Sequence, residues 1–287
     1  MRRVLILGGT AEARALAAAL TDAGVRVVSS LAGRVSNPRL PVGEVREGGF
    51  GGAEGLAAWL RAEGIAAVVD ATHPFAARMT ASAAEASAGT GVPLLVLRRP
   101  GWREGPGDAW RRVASLHEAA ARLADPGLIF GPEPTARAAD PARTPGPEPT
   151  ARAADPARTP GREAGARPAG AVRVFLTTGR RSLPVFAGLP GVWLLARSVD
   201  PPEPPVPANV RVLLGRGPYT VEGERALIRE HRLDVLVTKD SGGRMTTAKL
   251  VAARELGLPV IMVDRPPPPA GVRLVETVEE AAAWAQG

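Results

Sequence analysis

Short apolar runs alternate with longer amphipathic stretches from the first residues onward. Val4–Leu7, Val25–Ser29, Ala67–Asp70 and Leu94–Leu97 are strand-length and largely apolar. Between them, Glu12–Thr21, Glu54–Glu63 and Arg78–Ser87 carry apolar residues at helical spacing. Runs that are apolar on both faces suit strands buried on both sides, and their alternation with helices predicts an α/β fold built on parallel sheets with helices on both faces. Ligands of such sheets gather beyond the carboxyl ends of the strands, so chemistry is expected in the few residues after each run.

The pattern occurs twice. Arg78-Met79-Thr80 leads through a helical stretch to Gly91-Val92-Pro93, an apolar run and Arg99-Pro100; Arg244-Met245-Thr246 leads likewise to Gly257-Leu258-Pro259, an apolar run and Arg265-Pro266. Val4–Gly9 matches Val174–Gly179, and Ser115–Glu118 matches Thr277–Glu280. The last pair has a hydroxyl residue followed three positions later by Glu, which is how a capped helix begins. Two similar Rossmann-like halves with a cleft between them are expected. Between the halves, GPEPTARAADPARTP stands at 131–145 and again, unchanged, at 146–160. Such Pro/Ala-rich sequence buries too little apolar surface to offset its ordering entropy, so 131–170 reads as a disordered linker. The expected division is therefore 1–130, a nucleotide-binding half; 131–170, the linker; and 171–287, a substrate half.

Composition narrows the chemistry. The 287 residues contain no cysteine, which removes disulfides, thiolate metal sites and a cysteine nucleophile. No apolar run reaches membrane-spanning length, the first run is too short for a signal peptide, and a cytoplasmic location fits. The net charge of +7 comes almost entirely from arginine. That suits a polyanionic ligand, although a GC-rich genome alone would supply much of it. With one tyrosine and five phenylalanines, and no basic run interleaved with aromatics, nucleic acid is not the expected partner.

Five segments follow strand-like runs. In Gly8-Gly9-Thr10-Ala11-Glu12, the glycines allow a tight turn beside a pyrophosphate, and the next helix offers free N–H groups and the positive end of its dipole. Thr10 would cap that helix or donate to phosphate. Ser30 and Arg34 stand where an NAD site places an acid for the ribose hydroxyls, which favours a 2′-phosphate and hence NADPH. Gly48-Gly49-Phe50-Gly51-Gly52 suits a loop against a flat ligand. Asp70-Ala71-Thr72-His73 leaves a buried strand, and no second histidine lies at metal-ligand spacing, so no metal is expected. Lys239-Asp240-Ser241-Gly242-Gly243 pairs one of only two lysines with an acid ahead of an anion-suited turn. Thr178-Gly179-Arg180 and Gly215-Arg216-Gly217-Pro218-Tyr219 are further loops suited to anionic groups.

Taken in order, Leu7–Arg14, Ser30–Arg34, Gly48–Gly52, Asp70–Ala76 and Thr238–Gly243 resemble the precorrin-6A reductase family of cobalamin biosynthesis. The resemblance spans both flanks; the repeated insert is a departure from it. It implies NADPH-dependent reduction of precorrin-6A to precorrin-6B, with the nucleotide on the N-terminal half and the polycarboxylate tetrapyrrole in the cleft. On that basis Gly8, Gly9, Thr10, Ala11, Ser30, Arg34, Gly49, Phe50 and Thr72 are expected at the cofactor. Arg78, Thr178, Arg180, Arg216, Tyr219, Ser241, Gly242 and Gly243 are expected at the substrate. Lys239, Asp240 and His73 are the candidates for proton delivery. A monomer or weak homodimer is expected. The alternatives are a cobalt-precorrin-6A reductase, or a dinucleotide-sensing module acting through the insert; deletion of 131–160 would abolish function only in the latter.

Overall fold

A computed structural model describes residues 2–33, 39–125, 127–131 and 171–287. Its elements run in the order β1 (Arg3–Leu7), α1 (Ala11–Asp22), β2 (Arg26–Leu31), β3 (Glu44–Glu47), α2 (Ala53–Ala62), β4 (Ala67–Asp70), α3 (Ala77–Thr90), β5 (Leu94–Leu97), β6 (Trp110–Val113), α4 (Leu116–Ala124) and α5 (Gly127–Phe130). After the insert come β7 (Val172–Leu176), a 3-10 turn at Arg180–Ser182, α6 (Leu183–Ala187), β8 (Val192–Ser198), β9 (Val210–Leu214), α7 (Val221–Glu230), β10 (Val235–Lys239), α8 (Ala248–Glu255), β11 (Val260–Val263), β12 (Arg273–Val275) and α9 (Val278–Gln286). Arg34 and the repeats lie outside the described residues, apart from Gly131.

Two six-stranded sheets result, ordered β12-β5-β4-β1-β2-β3 and β6-β11-β10-β7-β8-β9. Every strand pair is parallel. Each order is that of the doubly wound dinucleotide fold, with its direction reversing beside the first strand. Alternate residues of the central strands feed opposite cores, as the pleat requires. Val4 and Ile6 pack with Leu16 and Leu20 of α1 and Ala281 and Ala285 of α9. Leu5 and Leu7 pack with Leu56 and Leu60 of α2 and Ala83 of α3. In the second sheet, Val174 and Leu176 face α4 and α6, and Phe175 faces α7 and α8.

The sheets do not follow chain order. Strand β6, which precedes the insert, pairs with β11, and β12, near the C-terminus, pairs with β5. Helices α4 and α9 travel with them into the opposite cores. The matched Ser115 and Thr277 segments are equivalent and both cap their helices: Glu118 N donates to Ser115 Oγ and Glu280 N to Thr277 Oγ1. Each nevertheless completes the other sheet. Cap chemistry is local to a turn and carries no information about which sheet the next strand joins.

Two stretches span the gap, one following β5 and one following β11, and they are bolted down. Arg99 donates from Nε to Ser241 O (2.7 Å) and pairs through its guanidinium with Glu12 (2.7 Å). Arg265 reaches Arg99 O (2.8 Å) and Asp240. On β6, Arg112 bridges Asp240 (2.8 Å) and Asp264 (2.5 Å).

Candidate active site

Because both sheets are parallel, their functional segments collect at carboxyl edges, and contacts across the gap bring the two edges together. At the first, Gly9 takes φ +108°, a conformation natural to glycine, and an added Cβ there would meet nothing within 4 Å. Thr10 caps α1 by accepting from Ala13 N (3.1 Å), while its hydroxyl donates to Ala71 O (2.8 Å). Of the two roles its sequence allowed, the structure gives it the cap, and the hydroxyl also ties the turn to the end of β4. Ala11 opens α1. Glu12, unfavourable to a phosphate on its own, is paired with Arg99.

Ser30 is buried at the end of β2 and accepts from Arg46 (3.3 Å). Arg46 also donates to Gly48 O and Gly49 O (2.8 Å each) and lies 3.8 Å over the Phe50 ring. The glycine loop is therefore shaped by an arginine that sequence reasoning missed. Phe50 packs edge-on against Trp59 and joins the first sheet's core, with a guanidinium on its face.

At the end of β4, Asp70 is buried, and its Oδ1 accepts from the backbone N (3.0 Å) and hydroxyl (2.6 Å) of Thr72. His73 accepts at Nδ1 from Phe75 N (3.3 Å), which leaves the proton on Nε2. Loss of bulk water around the ring, reinforced by Arg99, Lys239 and Arg265, pushes its pKa down to about 3. The residue itself is solvent-exposed, and with its pKa lowered the imidazole is neutral at pH 7. Arg78 is exposed in the first turn of α3.

On the opposite edge, Lys239 leaves β10 and donates to Thr178 O (2.8 Å), with its ammonium 5.4 Å from the Phe75 ring. Burial lowers its pKa. Thr178 accepts from Ser182 (2.7 Å), and Arg180 pairs with Asp200 (2.7 Å). Arg216 is exposed in the loop after β9. Tyr219 closes that loop by donating to Gly215 O (2.9 Å), under the Arg197 guanidinium.

Asp240 is placed otherwise than its sequence position suggested. One carboxylate oxygen accepts from Trp102 N (2.9 Å) and lies 3.3 Å from Arg265; the other accepts from Arg112 (2.8 Å). With both oxygens engaged it anchors the crossing stretch. The Ser241-Gly242-Gly243 turn has the same task. Ser241 O receives Arg99, and Gly243 O receives Trp102 Nε1 (3.0 Å). A Cβ on Gly242 would lie 2.1 Å from Pro100 O.

Arg98, Arg99 and Arg265 also stand at these edges, beyond the residues that the sequence singled out as candidates. The matched Arg99-Pro100 and Arg265-Pro266 pairs, each separated by one residue from the end of a strand, were the signal that marked two of them.

The family model for "Precorrin-6x reductase CbiJ/CobK" matches residues 3–286. A precorrin-6A reductase of Rhodococcus erythropolis is 49% identical over 99% of this chain and 97% of its own. One from Mycobacterium tuberculosis is 46% identical over 100% and 98%. A solved structure of CobK precorrin-6A reductase superimposes with a TM-score of 0.78 at 38% identity, covering 100% of this chain and 96% of that one. With the fold, the paired carboxyl edges and nearly every residue accounted for by that match, the chain belongs to the precorrin-6x reductase CbiJ/CobK family.

Proposed function

We propose that this oxidoreductase reduces precorrin-6A to precorrin-6B in corrin ring biosynthesis, using NADPH and the metal-free macrocycle. The observation that carries the substrate assignment is a graded likeness. Identity is 39% to 49% with relatives named precorrin-6A reductase, and 27% to 29% with those named cobalt-precorrin-6A reductase.

NADPH is supported by the residues at the first edge. Gly9 leaves open space before the start of α1, where backbone N–H groups favour phosphate. The β2 end carries Ser30 with Arg46 beside it, a setting suited to a 2′-phosphate. When bound, the cofactor supplies the hydride. The protein orients the reacting faces and delivers the proton. Lys239, held by Thr178 O at the cleft, is the proposed proton source, and its lowered pKa makes it the stronger acid. Neutral His73 offers an Nε2–H toward the same space. Arg99, Arg265 and Lys239 surround it with positive charge, which suits acetate and propionate arms. Both edges come from one chain, so the monomer is the proposed acting unit. The chain carries no cysteine, and no described helix is long and apolar enough to cross a membrane; both fit the cytoplasm as its site of action.

The test mixes purified protein, NADPH and metal-free precorrin-6A and follows NADPH absorbance. Absorbance should fall, and fall more slowly with the cobalt complex. Unchanged absorbance would refute the assignment.

A further inference from the structure

A cavity of about 320 Å³ lies beyond the ends of β4 and β5. Asp70, His73, Ala77, Thr80 and Arg98 line it, and four consecutive prolines, 266–269 of the crossing stretch, form part of its wall. His73 and Ala77 are exposed, so a solute can reach it. The groups around it are donors in need of acceptors. The Arg98 guanidinium makes no hydrogen bond or ion pair with any described residue; only its Nε is sealed from solvent, and its terminal nitrogens stay accessible. His73 keeps its Nε2–H free, because its one hydrogen bond is accepted at Nδ1. Helix α3 starts here with Ala76 at its cap and no capping side chain, so Ala77 N and Arg78 N have no acceptor. The one acid among the lining residues does not answer these donors: Thr72 holds Asp70 Oδ1 twice, and Oδ2 is sealed from solvent.

A cavity rich in free donors suits an anion, and a guanidinium fork matches a carboxylate through two parallel N–H bonds. Position decides whose anion it is. The cofactor's phosphates are proposed at the start of α1 and the end of β2. In the order β5-β4-β1-β2 the cavity lies on the other side of β1 from them. The anions left in the reaction are the carboxylate arms of the macrocycle. Prolines carry no N–H, and their rings give an apolar surface to the methylenes of such an arm. The macrocycle's rings resemble one another, yet the hydride must reach one carbon. Scattered surface cations would accept the macrocycle in several rotations, whereas a recessed cavity that takes a single arm selects one.

We infer that Arg98 is a specificity-determining residue: its cavity takes one carboxylate arm of the macrocycle and so fixes which ring carbon meets the hydride. The inference rests on the proposed reductase reading.

The test compares wild type with Arg98→Met and Arg98→Lys. Arg98→Met should raise KM for precorrin-6A about tenfold to hundredfold, the worth of hydrogen bonds between charged groups. It should leave NADPH affinity unchanged and unfold no earlier than wild type, since it removes a partly buried cation that has no partner to lose. Arg98→Lys should recover part of the KM. Each protein is also given precorrin-6A monoamides, a mixture in which each molecule has one carboxylate converted to carboxamide, with limiting NADPH, and the surviving isomers are separated by chromatography. Wild type should leave one isomer largely unreduced, and Arg98→Met should consume all of them alike. An unchanged KM in Arg98→Met would overturn the inference, as would a wild type that consumes every isomer at one rate. Stability or NADPH affinity lost along with KM would mark a structural role and overturn it too. Wild-type protein that oxidises no NADPH with intact precorrin-6A would sink the reductase reading itself, and this inference with it.

Discussion

Lys249 carries an amine into a layer with little room for charge. It is 5% exposed, donates to Thr246 O (2.8 Å) and stands 4.7 Å from the Trp102 ring. Burial pulls its pKa down to about 7, with Glu224 opposing the shift and Arg197 adding to it. Between that value and the ordinary 10.5, the unfolded chain holds the proton and the folded chain does not, so stability rises with pH across this window. Wild type should therefore gain on Lys249→Met by up to about 1.4 kcal/mol per pH unit between pH 7.5 and 9, measured by denaturant unfolding. A constant difference would show that Lys249 keeps its proton. Lys239 is tested through turnover. Lys239→Met should lower kcat by about 10²–10⁴-fold, the usual worth of a general acid, with NADPH affinity retained. In wild type, kcat should fall as pH rises through a value below that of an exposed lysine, and Lys239→Met should lack that limb. His73 is already neutral, so it should add no acid limb near pH 6.5.

At the level of elements, the glycine turns separate two kinds of demand. Gly9 needs its φ of +108° but has open space around it, whereas Gly242 combines φ +64° with the Pro100 carbonyl. Gly9→Ala should cost about 1–2 kcal/mol of stability, chiefly as backbone strain. Gly242→Ala adds overpacking against backbone and should cost about 3 kcal/mol or more. Thermal unfolding of the pair checks the order; equal losses would mean that the crossing stretch yields freely. Both turns read alike in the sequence, as glycines after a strand. The sequence could not tell a turn left with open space around it from one that receives the chain itself, because the difference lies in what arrives from about 140 residues away. The central strands were legible because they are apolar on both faces. Strand β3, Glu-Val-Arg-Glu, was not: it is a short edge strand with polar residues outward. Arg46 was overlooked with it.

Across the whole molecule, the internal repeat correctly foretold two equivalent α/β units and missed their exchange of a final strand and helix. Hydrophobic pattern reports that a strand is buried, not beside which neighbour. The exchange makes a prediction that chain order does not. Residues 1–131 and 171–287, co-expressed as separate chains, should associate and copurify, because each supplies one strand to the sheet built mainly by the other. Either piece alone should expose an unfilled sheet edge and aggregate. Pieces that purify independently as folded monomers would contradict the observed pairing.

The two crossing stretches also set how the cleft can move. Bodies joined by one tether can twist, slide and swing apart; joined by two, side by side and pinned at Asp240, they keep a single hinge axis. Any relative rotation of the two sheets is thereby confined to one direction. The alignment of the two carboxyl edges is thus set by covalent chain and does not wait on the fit of a ligand.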